Sequence, residues 1–146
     1  MTEEIKRLSQ LIKQSQHIVF FGGAGVSTES QIPDFRSDDG LYGDKQAKRY
    51  PYPPETMLSH SFFEQYTKEF FEYYFDKMVY PDAKPNPAHI ALAKLEQMGK
   101  LSAVITQNID GLHQMAGSRR VCELHGSVHR NFCMNCGKKY NLSQML

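Results

Sequence analysis

The sequence predicts an α/β fold built on a parallel sheet, and three observations carry that prediction. Ile18-Val19-Phe20-Phe21 is a continuous apolar run ending in glycines, the pattern of a buried parallel strand that breaks into a tight turn and then a helix. Leu101-Ser102-Ala103-Val104-Ile105-Thr106 is a second apolar, β-branched run, which reads as another strand. A helical pattern between them completes a strand, helix, strand order, and a crossover of that kind brings the second strand's carboxyl end beside the first glycine turn. The chain's 146 residues, 40% of them hydrophobic, suffice for one core.

Taken in order, Ile5, Leu8, Leu11 and Ile12 recur at helical spacing with Lys6, Arg7 and Lys13 between them, predicting an amphipathic packing helix over residues 3–15. In Gly22-Gly23-Ala24-Gly25 the missing side chains let the backbone approach a pyrophosphate, and the helix that follows points its N–H groups and positive dipole end at the anion. Taken alone, Gly23-Ala24-Gly25 is equally an ordinary strand-to-helix turn. Pro33-Asp34-Phe35-Arg36 adds a rigid turn, a carboxylate, a ring and a guanidinium within four residues, more than a plain turn needs. Residues 37–43 are rich in turn formers and lead into an aperiodic stretch at 45–54, so a long mobile loop is expected there.

Residues 55–78 carry ten apolar or aromatic side chains at helical spacing, from Met57 and Leu58 to Phe75 and Met78, closed by Tyr80-Pro81. This reads as the packing face of a small helical module. Pro85-Asn86-Pro87 opens the next helix, with Ile90, Leu92, Leu95 and Met98 as its buried stripe and Gly99 as its stop. His89 within it and His113 farther on read as structural. Gln107-Asn108-Ile109-Asp110 leaves the second strand at its carboxyl edge, where ligands of open sheets bind, and its amides and acid suit ribose hydroxyls and a carboxamide. The same residues also fit a capped, polar strand exit.

Val121 to Gly126 reads as a short strand breaking at His125-Gly126, with Cys122 a buried small side chain. Imidazole is the natural general base near neutral pH, although by itself His125 is also a plausible turn histidine. Cys133-Met134-Asn135-Cys136 then has the form of half a zinc ribbon. Seventeen basic against sixteen acidic residues give no charge argument for nucleic acid or an anionic membrane surface. The N-terminus lacks a secretory signal pattern, no apolar run approaches a membrane span, and a cytoplasmic protein is expected.

Three motifs, Gly23 to Arg36, Thr106 to Asp110 and Leu124-His125-Gly126, appear in an order and spacing that resembles the sirtuin family of NAD-dependent protein lysine deacylases. The likeness covers nearly the whole chain. It implies a Rossmann-like parallel sheet (1–54 and 85–126), an inserted helical module (about 55–84) part of whose surface lines the acyl-lysine pocket, and the first half of a zinc-ribbon module (127–146). The family's catalytic domain is considerably longer than 146 residues, so the chain reads as its N-terminal half or more.

The resemblance implies NAD as co-substrate and assigns its binding to Gly23, Ala24, Gly25, Ser27, Thr28, Asp34, Phe35, Arg36, Gln107, Asn108, Ile109, Asp110 and His125. Ala24 and Gly25 carry the pyrophosphate, Arg36 meets a phosphate, and Phe35 shields the inner pocket. Asp110 with Asn108 orients the carboxamide and ribose, and His125 is the base, so His125 and Asn108 are the catalytic pair. Structural Zn²⁺ is implied at Cys133 and Cys136, which the family completes with a second cysteine pair farther along. The expected partner is an acetylated lysine on a protein, with nicotinamide as product and inhibitor. Relatives that take succinyl or malonyl groups share a Tyr-x-x-Arg pair. Here Tyr73 to Asp76 offers no basic residue, which favours acetyl. Gly22 stands where many relatives have Thr, and Gln31 where many have Gly, a strained choice if a positive φ is needed there. Two other readings are a mono-ADP-ribosyltransferase using the same pocket and a non-catalytic NAD or ADP-ribose binder.

Overall fold

In the computed structural model, which describes residues 2–38, 40–43 and 49–146, β1 (Ile18–Gly22) pairs in parallel with β2 (Leu101–Thr106). Val19 stands opposite Ala103 and Gly22 opposite Thr106, with a register irregularity between Ile18 and Val19. A short β3 (Val121–Glu123) adds in parallel on the other side of β2, giving the order β1-β2-β3. The protein is therefore a Rossmann-like α/β fold. Because parallel ladders start and stop together, the carboxyl ends of all three strands lie along one edge, and every motif singled out in the sequence leaves from that edge. Gly22 belongs to β1 itself: its carbonyl accepts from the Gln107 N–H, so the turn proper begins at Gly23.

The segment after β1 is a 3-10 helix over Ala24–Ser30, not the α-helix that the glycine turn predicts. It ends at Gln31, whose φ of 64° and ψ of 22° are left-handed, a conformation that disfavours a non-glycine residue by about 1 kcal/mol. The predicted penalty at this position is present in the backbone.

Helix α1 (Glu3–Gln14) forms with the Thr2 hydroxyl capping its start, but Ile5, Leu8 and Leu11 are exposed. Its far end is held instead by the Lys100 ammonium, which donates to the carbonyls of Ile12, Lys13 and Ser15, a cation satisfying helix-terminal acceptors. The expected packing stripe of this helix is thus unburied. Of the expected loop over 45–54, residues 45–48 lie outside the described residues, and 49–53 are irregular up to the helix that starts at Pro54.

The aromatic stretch is broken into α2 (Pro54–Met57), α3 (His60–Gln65) and α4 (Thr67–Lys77). The first break follows from Ser59, whose hydroxyl caps α3 through the Phe62 N–H. At the second, Tyr66 leaves helical geometry and the Thr67 hydroxyl donates to the Phe63 carbonyl. Met57, Phe62 and Tyr73 form the centre of this module, with Tyr50, Leu58 and Phe70 against it.

Helix α5 (Pro87–Gln97) covers the sheet, packing Leu92 and Leu95 on Leu101, Val104, Ile18 and Phe20. Its stripe differs from the predicted one: Ile90 and Met98 are exposed, while His89, Leu92 and Ala93 are buried. The shift follows from the start of the helix, where Asn86 and His89 form a reciprocal cap that turns His89 inward. After β2 come the short α6 (Leu112–Met115), β3, an antiparallel hairpin of β4 (Asn131–Phe132) and β5 (Lys139–Tyr140), and α7 (Leu142–Met145). Val79, Val128 and Leu142 pack together with Ile109, Tyr74 and Phe75, joining module, hairpin and loop behind the strand ends. Cys122, expected to be buried, is exposed on the terminal strand β3. No helix among the described residues is long and apolar enough to cross a membrane.

Candidate active site

A cavity of about 620 Å³ opens at the carboxyl edge of the sheet. Ala24, Gly25 and Ser27 line it from the turn after β1, Asp34, Phe35 and Arg36 from the following loop, Gln107 to Asp110 from the end of β2, and His125 from beyond β3. Four separate stretches of the sequence therefore converge on one space. Of the residues assigned to cofactor binding, Gly23 and Thr28 do not line it. The Thr28 hydroxyl donates to the Gly25 carbonyl inside its own helix. Gly23 lies against the Gln107 side chain: a Cβ there would lie 2.9 Å from Gln107 Oε1, so a larger residue would push that amide aside.

The inner wall is a hydrogen-bonded relay. Asn108 Nδ2 donates to the Ser27 hydroxyl at 2.9 Å, and that hydroxyl donates to Asp110 Oδ2 at 2.7 Å. Asp110 Oδ1 accepts from the Leu112 N–H, and the Asn108 N–H donates to Thr106 Oγ1. Ser27 is wholly buried, so its hydroxyl acts as a fixed link between the glycine turn and the loop after β2. The loop's amide and carboxylate are oriented before any ligand arrives, which is how a site lowers the ordering cost of binding. In the overlying loop, Asp34 accepts from the backbone N–H and hydroxyl of Ser37, and these hydrogen bonds hold its carboxyl below the ordinary value. Phe35 stacks edge-on against Tyr42 at 5.4 Å, braced by the Tyr42 N–H on the Phe35 carbonyl.

His125 is exposed at the cavity mouth, with Nδ1 3.0 Å from the Gln107 carbonyl oxygen. A carbonyl only accepts, so Nδ1 carries the proton and the neutral ring presents a lone pair at Nε2. That is the arrangement a general base requires. His89 and His113 are the opposite case: both are buried, 4.7 Å apart between ring centroids. Burial lowers both pKa values, His113 to about 4 with His89 reinforcing the shift.

The far wall comes from the helical module, as the resemblance implies, though the hydrophobic pattern alone does not say which of its residues face the cavity. Leu58, Phe70, Tyr74, Lys77, Met78 and Tyr80 line the cavity, whereas Tyr73 is buried in the module's core and Asp76 accepts from the Tyr50 hydroxyl. Phe70, Tyr74 and Lys77 are spaced i, i+4, i+7, so the face of α4 turned to the cavity lies one position beyond the one the Tyr73 to Asp76 reading assumed. A basic residue is present after all, but the Lys77 ammonium lies 3.2 Å from the Asp76 carboxylate.

Cys133 and Cys136 sit at the hairpin tip. The N–H groups of Cys136 and Asn135 point at the Cys133 sulfur and, with the Cys136 thiol, hold its pKa below the ordinary value. The Gly137 N–H closes the turn on the Cys133 carbonyl. Amides aimed at a thiolate suit a metal knuckle. Among the described residues no third metal-binding side chain joins the pair.

Residues 23–146 match the Sir2 family model. The chain is 58% identical over 146 residues to an NAD-dependent protein deacetylase of Clostridium acetobutylicum, covering 100% of this chain and 59% of the relative. It is 63% identical over 141 residues to the NAD-dependent protein deacetylase of Clostridium tetani, covering 97% and 56%. A solved structure of Sir2 with a p53 peptide and NAD+ superposes with a TM-score of 0.79 at 41% identity, over 99% of this chain and 54% of that one. The chain thus spans somewhat over half the length of the relatives it matches. Fold, motif geometry and sequence agree: this chain belongs to the Sir2 family.

Proposed function

We propose that the protein carrying this chain is an NAD-dependent protein lysine deacetylase. The single observation behind the proposal is His125, whose Nδ1 is committed to the Gln107 carbonyl while it borders the cavity shared by Asn108, Asp110 and the Ala24 turn. The family's name and the deacetylase names of its relatives support the same reading. In it, Ala24 and Gly25 approach the pyrophosphate of NAD, Arg36 meets a phosphate, and Asp110 accepts from the nicotinamide amide while Asn108 orients the ribose. Phe35 closes over the inner pocket. The acetyl-lysine side chain enters along Phe70, Tyr74 and Met78.

The acetyl oxygen attacks the anomeric carbon of the nicotinamide ribose, the glycosidic bond breaks and nicotinamide leaves, giving an alkylimidate. His125 Nε2 then takes a proton from a ribose hydroxyl, the freed oxygen closes on the imidate carbon, and water releases lysine and O-acetyl-ADP-ribose. Acetyl is preferred to acidic acyl groups because Asp76 already neutralises Lys77. In this division of labour the Rossmann-like part (1–54 and 85–126) binds NAD, and the helical module (about 55–84) and zinc-binding segment (127–146) frame the peptide. We place the protein in the cytoplasm, where Cys133 and Cys136 stay reduced and available to structural Zn²⁺. A polypeptide of these 146 residues should bind less than one zinc per chain, measured by elemental analysis after dialysis.

Mass spectrometry of an acetylated peptide incubated with NAD and the full-length protein tests the reaction. Loss of the acetyl mass with formation of O-acetyl-ADP-ribose supports it. Addition of ADP-ribose to protein would assign a transferase, and no change would leave a binding module.

A further inference from the structure

We propose that His129 is a positioning residue, holding the Asn108–Asp110 loop in its ligand-ready shape from outside the cavity. The inference rests on the reading of that loop as the nicotinamide-binding wall. Beyond Thr106 the loop has left the sheet, and its backbone must find partners elsewhere. Two of them come from the strap that leads into the β4–β5 hairpin: the Val128 N–H donates to the Ile109 carbonyl at 3.0 Å, and His129 Nε2 lies 3.0 Å from the Asp110 carbonyl oxygen. Because that oxygen only accepts, the His129 ring donates.

The same ring also packs on the next residue. Gly111 has a φ of +75°, which favours glycine, and a Cβ on it would lie 2.7 Å from His129 Cδ2 and 2.9 Å from Nε2. A side chain at residue 111 would therefore displace the imidazole from the position in which it reaches the Asp110 carbonyl. The strap is itself held, since the His129 N–H donates to Ser127 Oγ and Val128 is buried against Val79 and Leu142. On the inner side Ser27 and the Leu112 N–H grip the Asp110 carboxylate. Asp110 is thus clamped at its side chain from within and at its carbonyl from without.

His129 is exposed and does not line the cavity, so its role is not contact with the ligand. Without the ring the Asp110 carbonyl can bond to water, and global stability should barely change. What changes is order in the loop, whose cost is then charged to binding.

The test compares wild type, His129→Ala and His129→Gln in the full-length protein by two readouts. The first is hydrogen exchange of the Asn108 to Leu112 amides, which needs no activity. The second is nicotinamide inhibition alongside KM for NAD and for acetylated peptide. In His129→Ala we expect faster exchange confined to this loop and nicotinamide inhibition weaker by roughly 3- to 10-fold, the scale of one hydrogen bond. Peptide KM and Tm should stay put. His129→Gln, which keeps a donor, should recover most of the inhibition. Unchanged exchange in His129→Ala overturns the positioning role, as does equal loss of every parameter. If wild type shows no deacetylation while exchange responds as described, the functional reading fails and the positioning role stands.

Discussion

Two pairs of histidines lie on opposite sides of the Gln107–Gly111 loop, and their contrast separates packing from chemistry in this fold. His89 and His113 are buried beneath it, edge to face, with His89 Nδ1 accepting from the Asn86 N–H in a helix cap. His125 and His129 are exposed above it, each with one ring nitrogen on a loop carbonyl. Burial keeps the first pair neutral, so their protonation state is a stability property. The second pair keeps an exposed ring with its tautomer set by the backbone carbonyl it donates to, and of the two only His125 borders the cavity. The same side chain is thus a packing element, a loop anchor or a base according to its burial and to what its free nitrogen faces.

The strongest test of that division is His125→Ala in the full-length protein, expected to lower NAD-dependent deacetylation at least about 100-fold, the low end for loss of a general base. NAD binding by calorimetry and Tm should be nearly unchanged. Near-wild-type turnover would erase the distinction between the pairs.

Next in size is the buried pair. His113 has its pKa lowered to about 4 and His89 is also lowered, so the unfolded chain binds more protons than the folded one as pH falls below about 6.5. Their contribution is complete above that pH and is lost on descending toward pH 4, with His113 accounting for on the order of 3 kcal/mol. Urea unfolding at several pH values should show this slope. His113→Leu, which cannot titrate, should flatten it, whereas His125→Ala should not.

Asp110→Asn sharpens the comparison at the loop itself. The amide keeps the shape but loses a charged acceptor for the nicotinamide amide and for Ser27, so inhibition by nicotinamide should weaken by about 1 to 3 kcal/mol. An unchanged inhibition constant would place nicotinamide elsewhere. Smallest is Gln31→Gly, which relieves a left-handed backbone outside the cavity and should raise stability by about 0.5 to 1 kcal/mol, read as a higher denaturant midpoint. A drop in stability would mean that the Gln31 side chain offsets the strain.

Much of this site is written in local sequence. The glycine turn after β1, the Asn108 to Asp110 exit and the His125-Gly126 break are each local sequence features, and the parallel register then brings their strand ends together. The cavity's far wall was legible only as a module, through the resemblance, and not residue by residue. Its face of α4 depends on where Ser59 and Tyr66 interrupt the aromatic stretch, and an interruption rephases every side chain after it. The inward turn of His89 is likewise the product of a cap that hydrophobic spacing does not encode. Exposure of the α1 stripe is no more predictable, because amphipathic spacing names a face without naming what covers it.

The pairing of β1 with β2 also has a consequence in time. Ile18 meets Leu101, 83 positions farther along the chain, so a ribosome adding about 5 to 20 residues per second makes the first strand roughly 4 to 17 s before its neighbour exists. During that interval Ile18 to Phe21 is an unpaired apolar segment, whereas α2, α3 and α4 can assemble from contacts close in sequence. The inserted helical module can therefore be ordered before the sheet closes, and the glycine turn acquires its opposing loop only when Gln107 and Asn108 emerge. The geometry of the cavity is therefore set by a long-range closure rather than by any one of the motifs that compose it.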